Sequence, residues 1–149
     1  MWAKSLCAIS RSGGLAVLLT IGALATAQAG EPASVTVQLG KQNGQMTVTM
    51  STNKVAAGTV EFVVTNASHD LMHEFLLTPW KGNPAALPYD AKATQVVEDD
   101  LPHLQGLEDM PPGTKATLRL VLTPGSYVAF CDQPGHYKLG MFTTLTVTP

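Results

Sequence analysis

Cysteine is nearly absent from this 149-residue chain, which carries only Cys7 and Cys131. Two cysteines cannot build the multiply bridged framework of a small disulfide-rich domain. Basic charge is scarce too. From Gly30 onward there are 7 Lys and Arg against 11 Asp and Glu, with no basic stripe to neutralise phosphates, so a nucleic-acid partner is excluded. Long apolar runs are missing: the one from Leu15 to Ala25 falls short of the roughly 20 residues that a spanning helix needs. There is no Gly-x-Ser-x-Gly or His-Glu-x-x-His motif for hydrolysis and no Cys-x3-Cys pair. No internal repeat is visible.

What the N-terminus does have is order of another kind. Lys4 and Arg11 precede the apolar run, and Ala27-Gln28-Ala29 follows it in small-x-small form. This is the build of a secretory signal peptide, expected over residues 1–29 with cleavage after Ala29, leaving residues 30–149 as one exported domain with no stable membrane insertion. Cys7 leaves with the leader. Cys131 then stands unpaired in an oxidising compartment such as the periplasm, where a thiol is buried or bound to something.

The mature segment reads as strands. Val35, Val37 and Leu39 share one parity, as do Met46, Val48 and Met50, and Asn43-Gly44 between them is a hairpin turn. Val60, Phe62 and Val64 mark a third strand. In residues 71–77 the residues Leu71, His73, Phe75 and Leu77 share one face, so His73 points with the apolar side chains. Residues 114–122 alternate most cleanly, Thr123-Pro124-Gly125-Ser126 carries type II turn chemistry, and strands follow at 127–131 and 142–147. Between them, residues 78–113 are punctuated by proline, with Ala91–Val97 as a short-helix candidate; a long irregular connection of this kind is a functional loop or an edge covering. The pattern predicts an all-β, Greek-key β-sandwich of about seven to eight strands.

The chemistry concentrates between Cys131 and Met141. Cys131-x4-His136-x4-Met141 spaces a thiol, an imidazole and a thioether across one loop, and the upstream supplier of a second imidazole is His73. Thiolate, two imidazoles and a weak axial methionine suit copper; methionine is a poor zinc ligand, and structural zinc sites use more cysteines. His69 and His103 lie in loops with no motif around them. Met46, Met50, Met72 and Met110 are dispersed and read first as core.

Cys131-x4-His136-x4-Met141 after a strand, the Pro134-Gly135-His136 turn, Asn66 and His73-Glu74-Phe75 together resemble the cupredoxin family. The resemblance implies one type 1 copper held by His73, Cys131, His136 and Met141, with Phe75, Leu139 and Phe142 as apolar neighbours. It implies a one-electron carrier rather than an enzyme, serving a redox protein partner; the alternative is a copper-binding protein that transports, buffers or delivers the metal to a copper acceptor. The four-residue gap between Cys131 and His136 is similar to the azurin or rusticyanin arrangement rather than that of plastocyanin. Glu74 stands where many family members have Asn or Ser to steady the thiolate loop, and Asn66 is a candidate for part of that role.

Overall fold

The alternating apolar residues do build strands, and the computed structural model describes them over residues Glu31–Pro149. The expected leader falls outside the described residues. In chain order the strands are β1 Ala33–Gln42, β2 Gln45–Met50, β3 Lys54–Ala56, β4 Gly58–Asn66, β5 His73–Pro79, β6 Tyr89–Asp90, β7 Gln95–Val96, β8 Gln105–Met110, β9 Lys115–Leu122, β10 Gly125–Phe130 and β11 Phe142–Thr148. One 3-10 turn covers Glu98–Asp100. Two sheets result, ordered β2-β1-β4-β9 and β3-β11-β10-β5-β8, with β6-β7 as a separate hairpin. The chain crosses repeatedly between the sheets, and parallel pairings of β1 with β4 and β11 with β3 sit among antiparallel neighbours. This is a β-sandwich.

The inward parity of each strand forms one core. Val35, Val37 and Leu39 meet Val60, Phe62 and Val64, and across the sheets they meet Phe75, Leu77, Ala129 and Leu145. Cys131 and Met141 belong to this same cluster and are fully buried. Two of the expected ligands are therefore set in the core, not added on a surface.

Residues His73–Thr78 of β5 are buried on both faces. The second face is covered by the irregular segment after Pro79. There Leu87, Val96 and Leu101 pack on Leu76, Val128, Phe130 and Tyr137, with Trp80, Tyr89 and Leu104 at the margin. A sheet face turned away from the first core needs such a cover to remove its apolar area from water. The helix expected at Ala91–Val97 is not formed. Asp90 Oδ1 accepts the N–H groups of Lys92 and Ala93, and Thr94 takes φ 58°, so the segment turns back as the β6-β7 hairpin. Residues 105–110, also absent from the sequence reading as a strand, pair with β5 as the edge strand β8. Gly125 has φ 158°, far from the roughly +80° of a type II turn, and already opens β10. The Tyr127 hydroxyl closes that connection, donating to Thr123 O at 3.0 Å and accepting from Thr123 N at 3.2 Å.

Candidate metal centre

Two strand ends and one loop converge at one end of the sandwich. His73 is the first residue of β5, Cys131 follows the last residue of β10, and Met141 precedes β11. Cys131 N–H donates to Met141 O at 3.1 Å, continuing the β10-β11 ladder one step and closing the base of the loop. Inside it the backbone winds tightly: Leu139 N–H reaches Gly135 O and His136 O, Gly140 N–H reaches Tyr137 O, and Met141 N–H reaches His136 O, all at 3.0–3.1 Å. Gly135 and Gly140 take φ 82° and 93°, a region that L side chains rarely adopt. This winding carries His136 back over Cys131.

The three metal-ligating atoms are close and mutually oriented. His73 Nδ1 lies 3.2 Å from His136 Nδ1, and Cys131 Sγ lies 3.8 Å from the former and 3.5 Å from the latter. Bonds of about 2.0–2.1 Å to imidazole nitrogen and about 2.3 Å to thiolate sulfur, meeting at angles of roughly 105–120°, would space nitrogens by roughly 3.2–3.6 Å and nitrogen from sulfur by roughly 3.5–3.8 Å. The observed triangle fits a metal ion at its centre. His69 and His103 are exposed and lie outside this group.

Each donor is held by something else. The register of β5 on β8 shifts between His73 and Phe75, so Glu74 has no partner in that ladder; its N–H points at Cys131 Sγ, 3.3 Å away. The Gln133 amide also favours the charged form of this sulfur. Gln133 Nε2 in turn donates to Glu74 Oε1 at 2.7 Å and to Asp109 Oδ1 at 3.2 Å, tying the loop to β5 and β8. The covering segment grips the loop from the other side. Val96 N–H donates to Asp132 Oδ1 at 2.6 Å, Gly135 N–H to Thr94 O at 2.7 Å, and the Tyr137 hydroxyl joins Pro84 O and Leu87 N at 2.7 and 2.9 Å.

Without a cation, burial dominates the electrostatics. It pushes the Cys131 thiol up to about 12; the amides of Gln133 and Glu74 oppose this, and the Glu74 and Asp132 carboxylates add to it. His73 is lowered to about 4 by burial, then by His136 and Lys41, and His136 is lowered by burial and Lys41. Asp132 is raised to about 6 and Glu74 is raised, both mainly by burial. Both imidazoles are thus neutral near pH 7 and offer lone pairs, while the thiol keeps its proton until a cation displaces it.

Residues 35–148 match the family described as copper binding proteins, plastocyanin/azurin family. The chain belongs to this family. A search of curated proteins gives no match. Among solved structures, this cupredoxin is similar to reduced rusticyanin, with 26% identity and TM-score 0.57 over 81% of this chain and 82% of that one. Auracyanin B gives 25% identity and TM-score 0.54 over 80% and 92% of the two chains. Dithionite-reduced auracyanin from the photosynthetic bacterium Roseiflexus castenholzii gives 20% and 0.57 over 80% and 100%. Copper is the family's metal, and His73, Cys131 and His136 are positioned as its site.

Some neighbours differ from the sequence expectation. Phe75 is buried against Phe62 with ring centroids 5.2 Å apart, but Leu139 is 63% exposed and shields nothing. Asn66 does not touch the thiolate loop: its Nδ2 donates to Leu71 O and Met110 O, both at 2.8 Å, and fixes the loop that leads into His73. The roles of Ser68, Gln133, Asp132 and Tyr137 were not read from the sequence. Each acts through hydrogen bonds that no local spacing announces.

Proposed function

We propose that this cupredoxin is an exported one-electron carrier whose type 1 copper is held by His73, Cys131, His136 and Met141. The observation that carries the reading is the fixed triangle of Cys131 Sγ and the two Nδ1 atoms, held by hydrogen bonds from β5, the loop and the cover. Copper in such a donor set supplies a one-electron couple, and a frame that does not rearrange between oxidation states keeps reorganisation small. Met141, fully buried in the core cluster beside Cys131, would supply the weak fourth ligand. His136, the less buried of the two imidazoles, is the edge through which electrons reach a redox protein partner.

Delivery of copper to an acceptor would use exposed soft ligands. Among the described residues, Met46 and Met110 are instead 8% and 5% exposed and serve the core, Met50 is partly buried against it, and only Met72, at 40%, is an open methionine. The periplasm is the proposed location, as the leader-like residues 1–29 suggest. Among the described residues no helix is long and apolar enough to cross a membrane. The test is kinetic: the copper-loaded protein should exchange electrons with small redox mediators far faster than it gives copper to a competing chelator. Rapid loss of the metal with sluggish electron exchange would favour delivery.

A further inference from the structure

The outer nitrogen of His73 has a partner that the copper reading does not require. Ser68 Oγ lies 2.7 Å from His73 Nε2. Ser68 is itself fixed, since its N–H donates to Asn66 Oδ1 at 2.9 Å, and Asn66, fully buried, is tied to Leu71 O and Met110 O. Behind it stands Gly40 at φ 149°, where a Cβ would come 3.4 Å from Ser68 Oγ. The loop from Asn66 to His73 is thereby pressed into one shape.

The two Nδ1 atoms lie 3.2 Å apart, close enough for one to hold a proton that the other accepts. If that proton sits on His73, then Nε2 is bare and accepts from the Ser68 hydroxyl; if it sits on His136, then His73 Nε2–H donates to Ser68. The hydroxyl serves either form while the site is empty. Once an ion takes both Nδ1 lone pairs, His73 carries its proton on Nε2 and Ser68 Oγ is its acceptor.

We infer that Ser68 is a positioning residue of the copper centre: with the metal bound, its hydroxyl accepts the Nε2–H of His73 and so keeps Nδ1 directed at Cys131 and His136. The inference rests on the copper reading above. Partners of this kind orient a ligand and raise its basicity, and their loss typically costs 10–100-fold in metal affinity.

The test compares wild type with Ser68→Ala and Ser68→Thr. Nitrogen-15 NMR of the Cu(I)-loaded proteins follows the His73 Nε2–H and its exchange with water, and competition with a chelator gives the Cu(II) affinity. In the wild type and in Ser68→Thr the Nε2–H should be hydrogen-bonded and slow to exchange. In Ser68→Ala it should exchange faster, and Cu(II) affinity should fall about 10–100-fold. The metal-free melting temperature should fall by no more than the loss of one part-buried hydrogen bond. An Ala variant with wild-type Nε2–H exchange and affinity overturns the role of Ser68 while leaving the copper site intact. A wild type that binds no Cu(II) fails earlier, at the copper reading itself.

Discussion

The backbone N–H of Glu74 donates to Cys131 Sγ over 3.3 Å, joining the start of β5 to the residue that follows β10. A main-chain donor is thus aimed at the thiol that a metal would bind, at a residue that stands where the β5-β8 register shifts. The Glu74 and Gln133 amides both favour the thiolate, although burial keeps the thiol protonated without a cation.

Copper binding should therefore release a proton. At pH 7.5 the thiol, at about 12, is protonated, while His73, at about 4, carries no extra charge. About one proton per copper is expected from a weakly buffered solution containing a pH indicator, and the logarithm of the apparent affinity should rise with a slope of about one per pH unit. Competition from His73 should set in only as pH falls toward 4. Release near zero would mean that Cys131 is not a ligand.

The same thiol shapes the stability of the metal-free protein at high pH. Its folded-state value, about 12, exceeds the ordinary 9.0, so above pH 9 the folded state holds more protons than the unfolded state and stability falls as pH rises toward 12. The loss approaches about 1.4 kcal/mol per pH unit in that window. Tyr137, also raised by burial, acts in the same direction. Thermal melts between pH 8 and 10.5 should show a steeper decline in wild type than in Cys131→Ala. Equal slopes would remove the thiol from the account.

Gly106→Ala should loosen the strand beside the site. A Cβ there would come 2.3 Å from Phe75 O and 2.7–2.8 Å from Leu76 atoms, so β8 must shift from β5. Overpacking of this sort costs about 1–3 kcal/mol or more, and the backbone contact places it at the upper end. A melting temperature equal to that of wild type would show that β8 yields freely.

Tyr137→Phe should separate stability from metal binding. The variant leaves the buried Leu87 N–H and Pro84 O without their hydroxyl partner, at a cost of about 1–3 kcal/mol. The ligand atoms are untouched, so the copper spectrum should persist while the denaturation midpoint falls. Loss of the spectrum would mean that the cover holds the loop more tightly through Tyr137 than through Asp132 and Gly135.

The sandwich was legible because period-two alternation in residues such as Val35, Val37 and Leu39 survives intact wherever one strand face meets the core. It failed for β8, where Gln105, Gly106, Glu108 and Asp109 form a polar edge with no apolar parity to read. It also misled at Ala91–Val97, where an Asp90 side chain and a left-handed Thr94 favour a hairpin over a helix. In the metal centre, the spacing of Cys131 and His136 lies within one loop and was readable. His73 was reachable through its parity with Phe75 and Leu77. Ser68 and Gln133 were not, because a serine five residues before a ligand and a glutamine two after another acquire their meaning only from the loops that bring them to 2.7 Å of their partners.

The central claim is one tightly held copper bound through Cys131, and the most direct measurement is titration of the purified protein with Cu(II), followed by visible absorption and EPR. The account predicts saturation at about one copper per chain, with an intense thiolate-to-copper band that disappears in Cys131→Ser. A colourless complex, or a band that survives this substitution, would contradict it.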